Sequence, residues 1–300
     1  MALILPPDVA ALNVAASILY QTAFAAITPW YQQVATQVNI STTSARFPFT
    51  PEQDIMRQWI GARVVRDVEV QNYNLRPNKF EKTVSISRDD YLDQQFAGLQ
   101  MSMSSIGSAA AKWPDQRVIA AIQANGNSFD GLPFFSANHP LDPGGVQSNT
   151  GALALTAANY ATTREFMMSL TGQDGQPLGI VPNVLLHPPQ LDRQAKEILN
   201  ADIIADPGGI AAGVTNVNKG SAVPLMIPEL GAVSATGWYL LDTSKAIKPF
   251  VFVMRETPLF VSKQAPDDET VFWDDEFVWG TSSRGEAGYG LWFQAFRGNV

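Results

Sequence analysis

The spacing of apolar positions changes near residue 87, and the rest of the chain is arranged around that change. Over residues 80–86, Phe80, Val84 and Ile86 share a face with Lys82, while Glu81, Thr83 and Ser85 lie opposite, the two-residue period of a strand. Beyond it Leu92, Phe96, Leu99, Met103, Ile106, Ala110 and Trp113 recur three and four residues apart, which puts them on one stripe of a helix. Ser87 with Asp90 three positions later has the form of a capping-box start. The helix predicted over 87–113 is about 40 Å long at ~1.5 Å per residue. Pro114 is expected to kink or restart it, Val118, Ile119 and Ile122 continue its apolar face, and Gly126 is placed to end it. Such a helix is a spine.

On either side of the spine the pattern is mixed. Residues 9–45 carry no charge. Asn13, Ser17, Gln21, Thr22 and Pro29 interrupt the apolar run and no Lys or Arg precedes Arg46, so neither a signal peptide nor a spanning helix is expected. The pattern predicts a packed helix capped by Asp8, with Leu12, Ala16, Leu19, Phe24 and Ile27 inward. Residues 55–88 predict two strands joined near 74–78, with Val68 and Val70 on the first, a ribbon that needs a surface to lie on. Residues 126–155 are turn-rich, 156–170 predict a helix, 184–186 a short buried strand, and Pro188-Pro189 opens a helix through Ala195, Ile198 and Leu199. A Gly- and Asn-rich loop at 206–220 leads to strands at 238–241 and 250–253, then at 271–273, 277–279 and 291–296. The order is α+β.

Composition narrows what such a chain does. Charged residues are 16% and apolar residues 46%, which suits surface hidden against other chains. A net charge of −8 argues against a nucleic-acid-binding module, which needs clustered Lys and Arg. With no cysteine, disulfides, thiolate metal sites and cysteine nucleophiles are excluded. His139 and His187, the two histidines, each precede proline and are expected to be structural. No G-x-S-x-G elbow or Walker loop occurs, and Gly288-Tyr289-Gly290 is expected to mark a turn between strands. No catalytic residue, cofactor or metal is expected. The sharpest cluster is Asp267, Asp268, Glu269, Asp274, Asp275 and Glu276, with nothing basic among them. Paired carboxylates there could run glycoside hydrolysis or bind calcium, although EF-hand spacing is absent. The expectation is a solvated acidic loop bounding a strand.

Several phrases together resemble the major head subunit of Mu-like phages and prophages. They are Trp59-Ile60-Gly61-Ala62-Arg63, Phe80-Glu81 with Ile86-Ser87-Arg88-Asp89-Asp90, and Phe129-Asp130-Gly131 with Phe134-Phe135 and His139-Pro140. Further along come Trp238-Tyr239-Leu240-Leu241-Asp242, Lys248-Pro249-Phe250 and Gly288-Tyr289-Gly290-Leu291-Trp292. The phrase from Pro182-Asn183 through His187-Pro188-Pro189-Gln190-Leu191 is similar to one widespread in tailed-phage capsid proteins. The resemblance implies a Hong Kong 97-type capsid fold. Its parts would be an N-terminal arm (1–50), an extended hairpin loop (51–88), and a peripheral domain with the spine helix (89–150). An axial domain (151–249) and C-terminal strands returning to the peripheral domain (250–300) would follow.

The implied function is non-enzymatic: self-assembly into hexamers and pentamers of an icosahedral head around double-stranded DNA, which the shell touches only weakly and without sequence preference. Implied partners are portal and scaffold or protease proteins during assembly, and decoration proteins, with no membrane. The implied location is the virion, assembled in the host bacterial cytoplasm. An encapsulin-like nanocompartment shell is the nearest alternative, and a carboxylate-dependent glycosidase using residues 267–276 a more distant one. Residues 55–88 carry seven basic side chains against three acidic. In the family fold the hairpin lies across a neighbouring subunit, so Arg57, Arg63, Arg66, Arg76, Lys79 and Lys82 are expected to meet Asp267, Asp268, Glu269, Asp274, Asp275 and Glu276 between chains.

Overall fold

The computed structural model describes residues 6–49, 71–93, 96–141, 145–172, 175–205, 213–265 and 268–298. In chain order the first elements are α1 (Pro6–Ala25), α2 (Tyr31–Val34), β1 (Ala35–Asn39), β2 (Ala45–Phe49), β3 (Gln71–Leu75), β4 (Asn78–Ser87), α3 (Arg88–Leu92) and α4 (Phe96–Ala124). Next come β5 (His139–Leu141), β6 (Gly145–Gln147), β7 (Thr150–Gly151), α5 (Ala157–Met168), β8 (Val184–His187), α6 (Asp192–Asn200), β9 (Ile203–Ile204), β10 (Val214–Thr215) and β11 (Val223–Met226). The last are β12 (Trp238–Leu241), β13 (Phe250–Lys263), α7 (Glu269–Trp273), β14 (Glu276–Tyr289) and β15 (Ala295–Gly298).

Two sheets carry the described fold. The first is four-stranded in the order β1-β13-β14-β4, and the second five-stranded in the order β11-β8-β12-β15-β7. In the first, β1 runs parallel to β13, and β14 runs antiparallel to both β13 and β4. Its inner face meets α4 and α1. Leu99, Met103, Ile106 and Ala110 of the spine pack there with Leu12, Ala16 and Tyr20 of α1 and with Phe277 and Trp279 of β14. The two helices approach so closely at Gly107 that a Cβ there would meet the Tyr20 carbonyl oxygen at 2.5 Å, so only glycine fits. The second half of α4 (Trp113, Val118, Ile119, Ile122) joins the main core with the second sheet.

Several expectations are corrected by tertiary demands. Pro114 does not restart the helix: α4 runs through it. Buried Trp113 on one side and buried Val118 and Ile122 on the other hold both halves in place, at the loss of one backbone rung. The predicted single start at Ser87 is divided between α3 and α4, although the Ser87 hydroxyl accepts from the Asp89 N–H at 3.2 Å as an N-cap would. The side chains of Leu92 and Phe96, placed on the stripe by spacing, lie outside the described residues.

At the far end Asn125, not Gly126, adopts the left-handed conformation (φ 45°). Gly126 instead leaves room for Tyr289, whose hydroxyl accepts from the Gly126 N–H and donates to the Ala121 carbonyl at 2.7 Å. On α1 the buried residue after Ala16 is Tyr20, while Phe24 is exposed.

The predicted strand at 271–273 is helix α7. Asp268 begins it, its carbonyl accepting from the N–H groups of Val271 and Phe272, and Asp275 at φ 53° then reverses the chain into β14. Gly288 is no turn. It lies within β14, where a Cβ would meet the Tyr73 hydroxyl at 2.7 Å. Over 291–296 a 3₁₀ turn (Trp292–Gln294) precedes β15, which joins the second sheet. The predicted strand around Val68 and Val70 lies outside the described residues.

Fully buried Ile106 lies between α1, α4 and β14. Ile106→Ala is expected to lower subunit stability by roughly 2–5 kcal/mol in denaturant unfolding. Met101→Ala, one turn away but exposed, should change it by less than about 0.5 kcal/mol. Equal effects would mean that the stripe faces elsewhere.

Candidate assembly surface

Two polar ties fasten one end of the first sheet. The Glu286 carboxylate on β14 takes Arg117 Nε and Nη2 of α4, both at 2.8 Å to Oε1, while its Oε2 accepts from Asn78 Nδ2 at 2.8 Å. The guanidinium lies 4.8 Å from the centre of the Phe80 ring. One carboxylate thus joins the spine to two strands, and its partners satisfy the charge that the sheet buries. The second tie is Asp115, buried in α4, whose Oδ1 accepts from the Tyr31 N–H at the start of α2 at 2.8 Å. Burial raises its carboxyl to about 6, a neighbouring Glu229 adds to the rise, and the N–H groups of Tyr31 and Trp30 and the Lys112 ammonium oppose it.

Beyond these ties β13 and β14 run on to α7, with β4 paired along β14 as far as Glu276. No residue of α7 is buried. Phe272 is 69% and Trp273 76% exposed. Their rings meet edge to face at 4.9 Å. Carboxylates surround them. Asp268 Oδ2 accepts from the Ala265 N–H at 2.8 Å, Glu269 and Asp274 are exposed, and Asp275 accepts from Arg88 Nη1 at 3.3 Å. These carboxylates build and rim a turn.

The basic residues expected to face the acidic turn are dispersed. Arg57, Arg63, Arg66 and Asp267 lie outside the described residues. Lys82 donates its ammonium to the Ser105 hydroxyl at 2.8 Å within its own chain. Arg76 and Lys79 are exposed, but at the other end of the sheet. Lys79 is paired in register with Arg284, and Glu276 with Ser87. Within one chain the two segments touch through Arg88 and Asp275. Sequence reasoning missed Phe272 and Trp273 as a surface feature because a Val-Phe-Trp run has the signature of a buried strand.

Both histidines are buried. His139 Nδ1 is 2.5 Å from Asp130 and its ring stacks on Trp292 at 4.0 Å, which ties a loop to the core. His187 ends β8, and burial lowers its pKa. No group of three His, Asp or Glu able to hold a metal occurs among the described residues, and no helix among them is long and apolar enough to cross a membrane.

The arrangement is therefore a spine helix under a long sheet, with large side chains presented to the outside and, among the described residues, no group able to hold a metal. A family model described as the Mu-like prophage major head subunit gpT matches residues 9–154, 151–230 and 228–299, nearly the whole chain. The chain belongs to this family. The major capsid protein of Escherichia phage Mu is 27% identical over 267 residues, covering 88% of this chain and 65% of its own length. The Haemophilus influenzae Mu-like prophage FluMu major head subunit is 23% identical over 98% of this chain and 74% of its own. Among solved structures, a chain of the bacteriophage JBD30 procapsid superposes with a TM-score of 0.60 at 28% identity, over 98% of this chain and 75% of that one. The fold is the expected Hong Kong 97-type, in a family of structural capsid subunits and not of enzymes.

The raised carboxyl of Asp115 gives this head-subunit chain a pH signature. Its folded value of about 6 lies above the ordinary aspartate value of 3.8, so the folded state holds the proton more tightly and this contribution is lost as pH rises from about 4 to about 6. The size is about 3 kcal/mol at ~1.4 kcal/mol per unit. Asp115→Asn keeps the acceptor for Tyr31 and removes the titration. Relative to that variant, wild type should lose stability between pH 4 and pH 7, measured by denaturant unfolding. Parallel curves would contradict the assignment.

Proposed function

We propose that this chain is the shell-building subunit of a phage head, assembling with copies of itself into hexamers and pentamers of an icosahedral shell around double-stranded DNA. The observation that carries this reading is the family match along nearly the full chain, joined to the capsid fold. Its surface is in keeping. The outer side of α1 presents Val14 and Ile18, 60% and 57% exposed, within the uncharged stretch 9–45. Apolar surface of that kind suits burial against other subunits. The net charge of −8 suits an inner wall that does not grip packaged DNA.

The assignment of residues 1–50 to an arm, 51–88 to an extended hairpin, 89–150 and 250–300 to a peripheral domain and 151–249 to an axial domain belongs to the same reading. So do portal, scaffold or protease and decoration partners, and assembly in the host cytoplasm. Arg57, Arg63, Arg66, Arg76, Lys79 and Lys82 are proposed to face a neighbour's Asp267, Asp268, Glu269, Asp274, Asp275 and Glu276. Exposed pairs contribute only about 0.2–1 kcal/mol each, so they set register and encounter rate while apolar burial holds the contact.

Electron microscopy of purified protein tests the function: closed shells tens of nanometres across are expected, and particles of single-chain size would overturn it. Charge reversal at Arg76 and Lys79 should slow assembly, by a factor that shrinks as salt rises. A rate difference independent of salt would remove the electrostatic contact.

A further inference from the structure

We infer that Asp115 is a proton-operated latch on the joint between α1 and β1, holding the joint closed when protonated and letting it open, with the rest of the subunit folded, when ionised. The joint has few ties of its own. After the Ile27 N–H bonds back to the Phe24 carbonyl, Thr28 and Pro29 lead into α2, which is four residues long. One turn is too short to hold itself together. Its N-cap, Trp30, gives it no side-chain acceptor. The N–H groups of Trp30 and Tyr31 are taken instead by the Asp115 carboxyl, which reaches them from α4, 84 positions along the chain. Burial of Tyr31 and Val34 supplies the rest of the hold.

Beside the joint there is room to move. A cavity of about 610 Å³ lies between Pro29, Gln32 and Gln33 on one side and Asn183, Val223 and Thr243 on the other. Lys248, which also lines it, donates its ammonium to the Gln32 carbonyl. The elements on either side of the joint are anchored independently. Helix α1 packs on the spine through Leu12, Ala16 and Tyr20, with the Tyr20 hydroxyl 3.1 Å from that of Thr281. Strand β1 is paired along β13 over five residues. Movement of the joint leaves both in place, so the opening is local.

The carboxyl is placed to sense protons. Asp115 is 6% exposed and makes no ion pair among the described residues. Burial disfavours its charge, and the N–H groups of Tyr31 and Trp30 offset only part of that cost. Glu229, on the 3₁₀ turn Pro228–Ala232, adds to the cost, and Lys112, one turn back on α4, lessens it. The Tyr31 phenol beside them donates to Gln37 Oε1. The balance raises the carboxyl to about 6. Opening lets water reach the group and returns it to the ordinary 3.8, so the closed joint holds the proton more tightly. The advantage of the closed joint is therefore full below about pH 4 and lost as pH rises to about 6. Between pH 4 and pH 7 the opening equilibrium should rise about fiftyfold.

Hydrogen exchange on the free subunit tests the latch, with each amide rate divided by its unstructured rate at the same pH. In wild type the opening constant of the Tyr31 and Trp30 amides should rise more than about tenfold from pH 4 to pH 7, and in Asp115→Asn it should not change. At pH 7 those amides should exchange much faster than the α4 amides of Val118 and Ile122, at rates that do not respond to urea below the unfolding transition. Should Asp115→Asn fail to fold, wild type alone decides: the Tyr31 opening constant should level off at the pH where the Asp115 carboxyl carbon titrates by NMR. Equal opening constants at pH 4 and pH 7, or the same rise in wild type and Asp115→Asn, overturn the latch. Tyr31 exchange that rises with urea together with that of α4 assigns the opening to global unfolding and overturns it as well.

Discussion

The structure depends on one helix being buried from two directions. The first half of α4 lies between α1 and the sheet of β13, β14 and β4, and its second half enters the core of the second sheet. A helix so placed must be apolar beyond a single narrow stripe, and it must approach a neighbour closely. The fully buried Met103, Ile106, Val118 and Ile122 meet the first demand, and Gly107 against the Tyr20 backbone meets the second. Tolerance of Pro114 follows from the same constraint. One lost rung is small beside the burial of four large side chains, each worth about 1.5–3 kcal/mol by area.

Polar groups then specify how the sheet attaches to that helix. The Glu286 carboxylate gathers Arg117 from α4 and Asn78 from β4, and Tyr289 closes the end of α4 through its hydroxyl. Asp115 holds the N–H of Tyr31, where the chain turns from α1 toward β1. Each joins residues between 84 and 208 positions apart in sequence, so each fixes a choice among packings that apolar burial alone would permit. Beyond these ties β13 and β14 run on to α7, where Phe272 and Trp273 are exposed.

What the sequence shows clearly is whatever repeats locally. The stripe through Leu99, Met103, Ile106, Ala110 and Trp113 was legible from its spacing, as was the strand face of Phe80, Val84 and Ile86. Pairings that bring distant residues together were not. Nothing near Glu286 announces Arg117, and nothing near Gly288 announces the Tyr73 hydroxyl that requires a glycine there. Residues 271–273 mislead for a related reason. Their β-forming side chains favour a strand, but Asp268 and Asp275 place them in a reversal, where the short helix wins. The acidic cluster was legible as charge, while the aromatic pair it surrounds was hidden by the strand assignment. Ordered phrases along the chain carried the family, which no single spacing could.

The account holds that the core around α4 forms within each subunit and that assembly adds contacts only at its outer surfaces. Hydrogen exchange on free subunits and on assembled shells tests this directly. Amides of α4 from Met103 to Ile122, and of β14 facing them, should be the slowest in the free subunit and change little on assembly. New protection should be confined to exposed segments such as α1, α7 and the edge of β13. Fast exchange along α4 in the free subunit, slowed only within shells, would contradict the account.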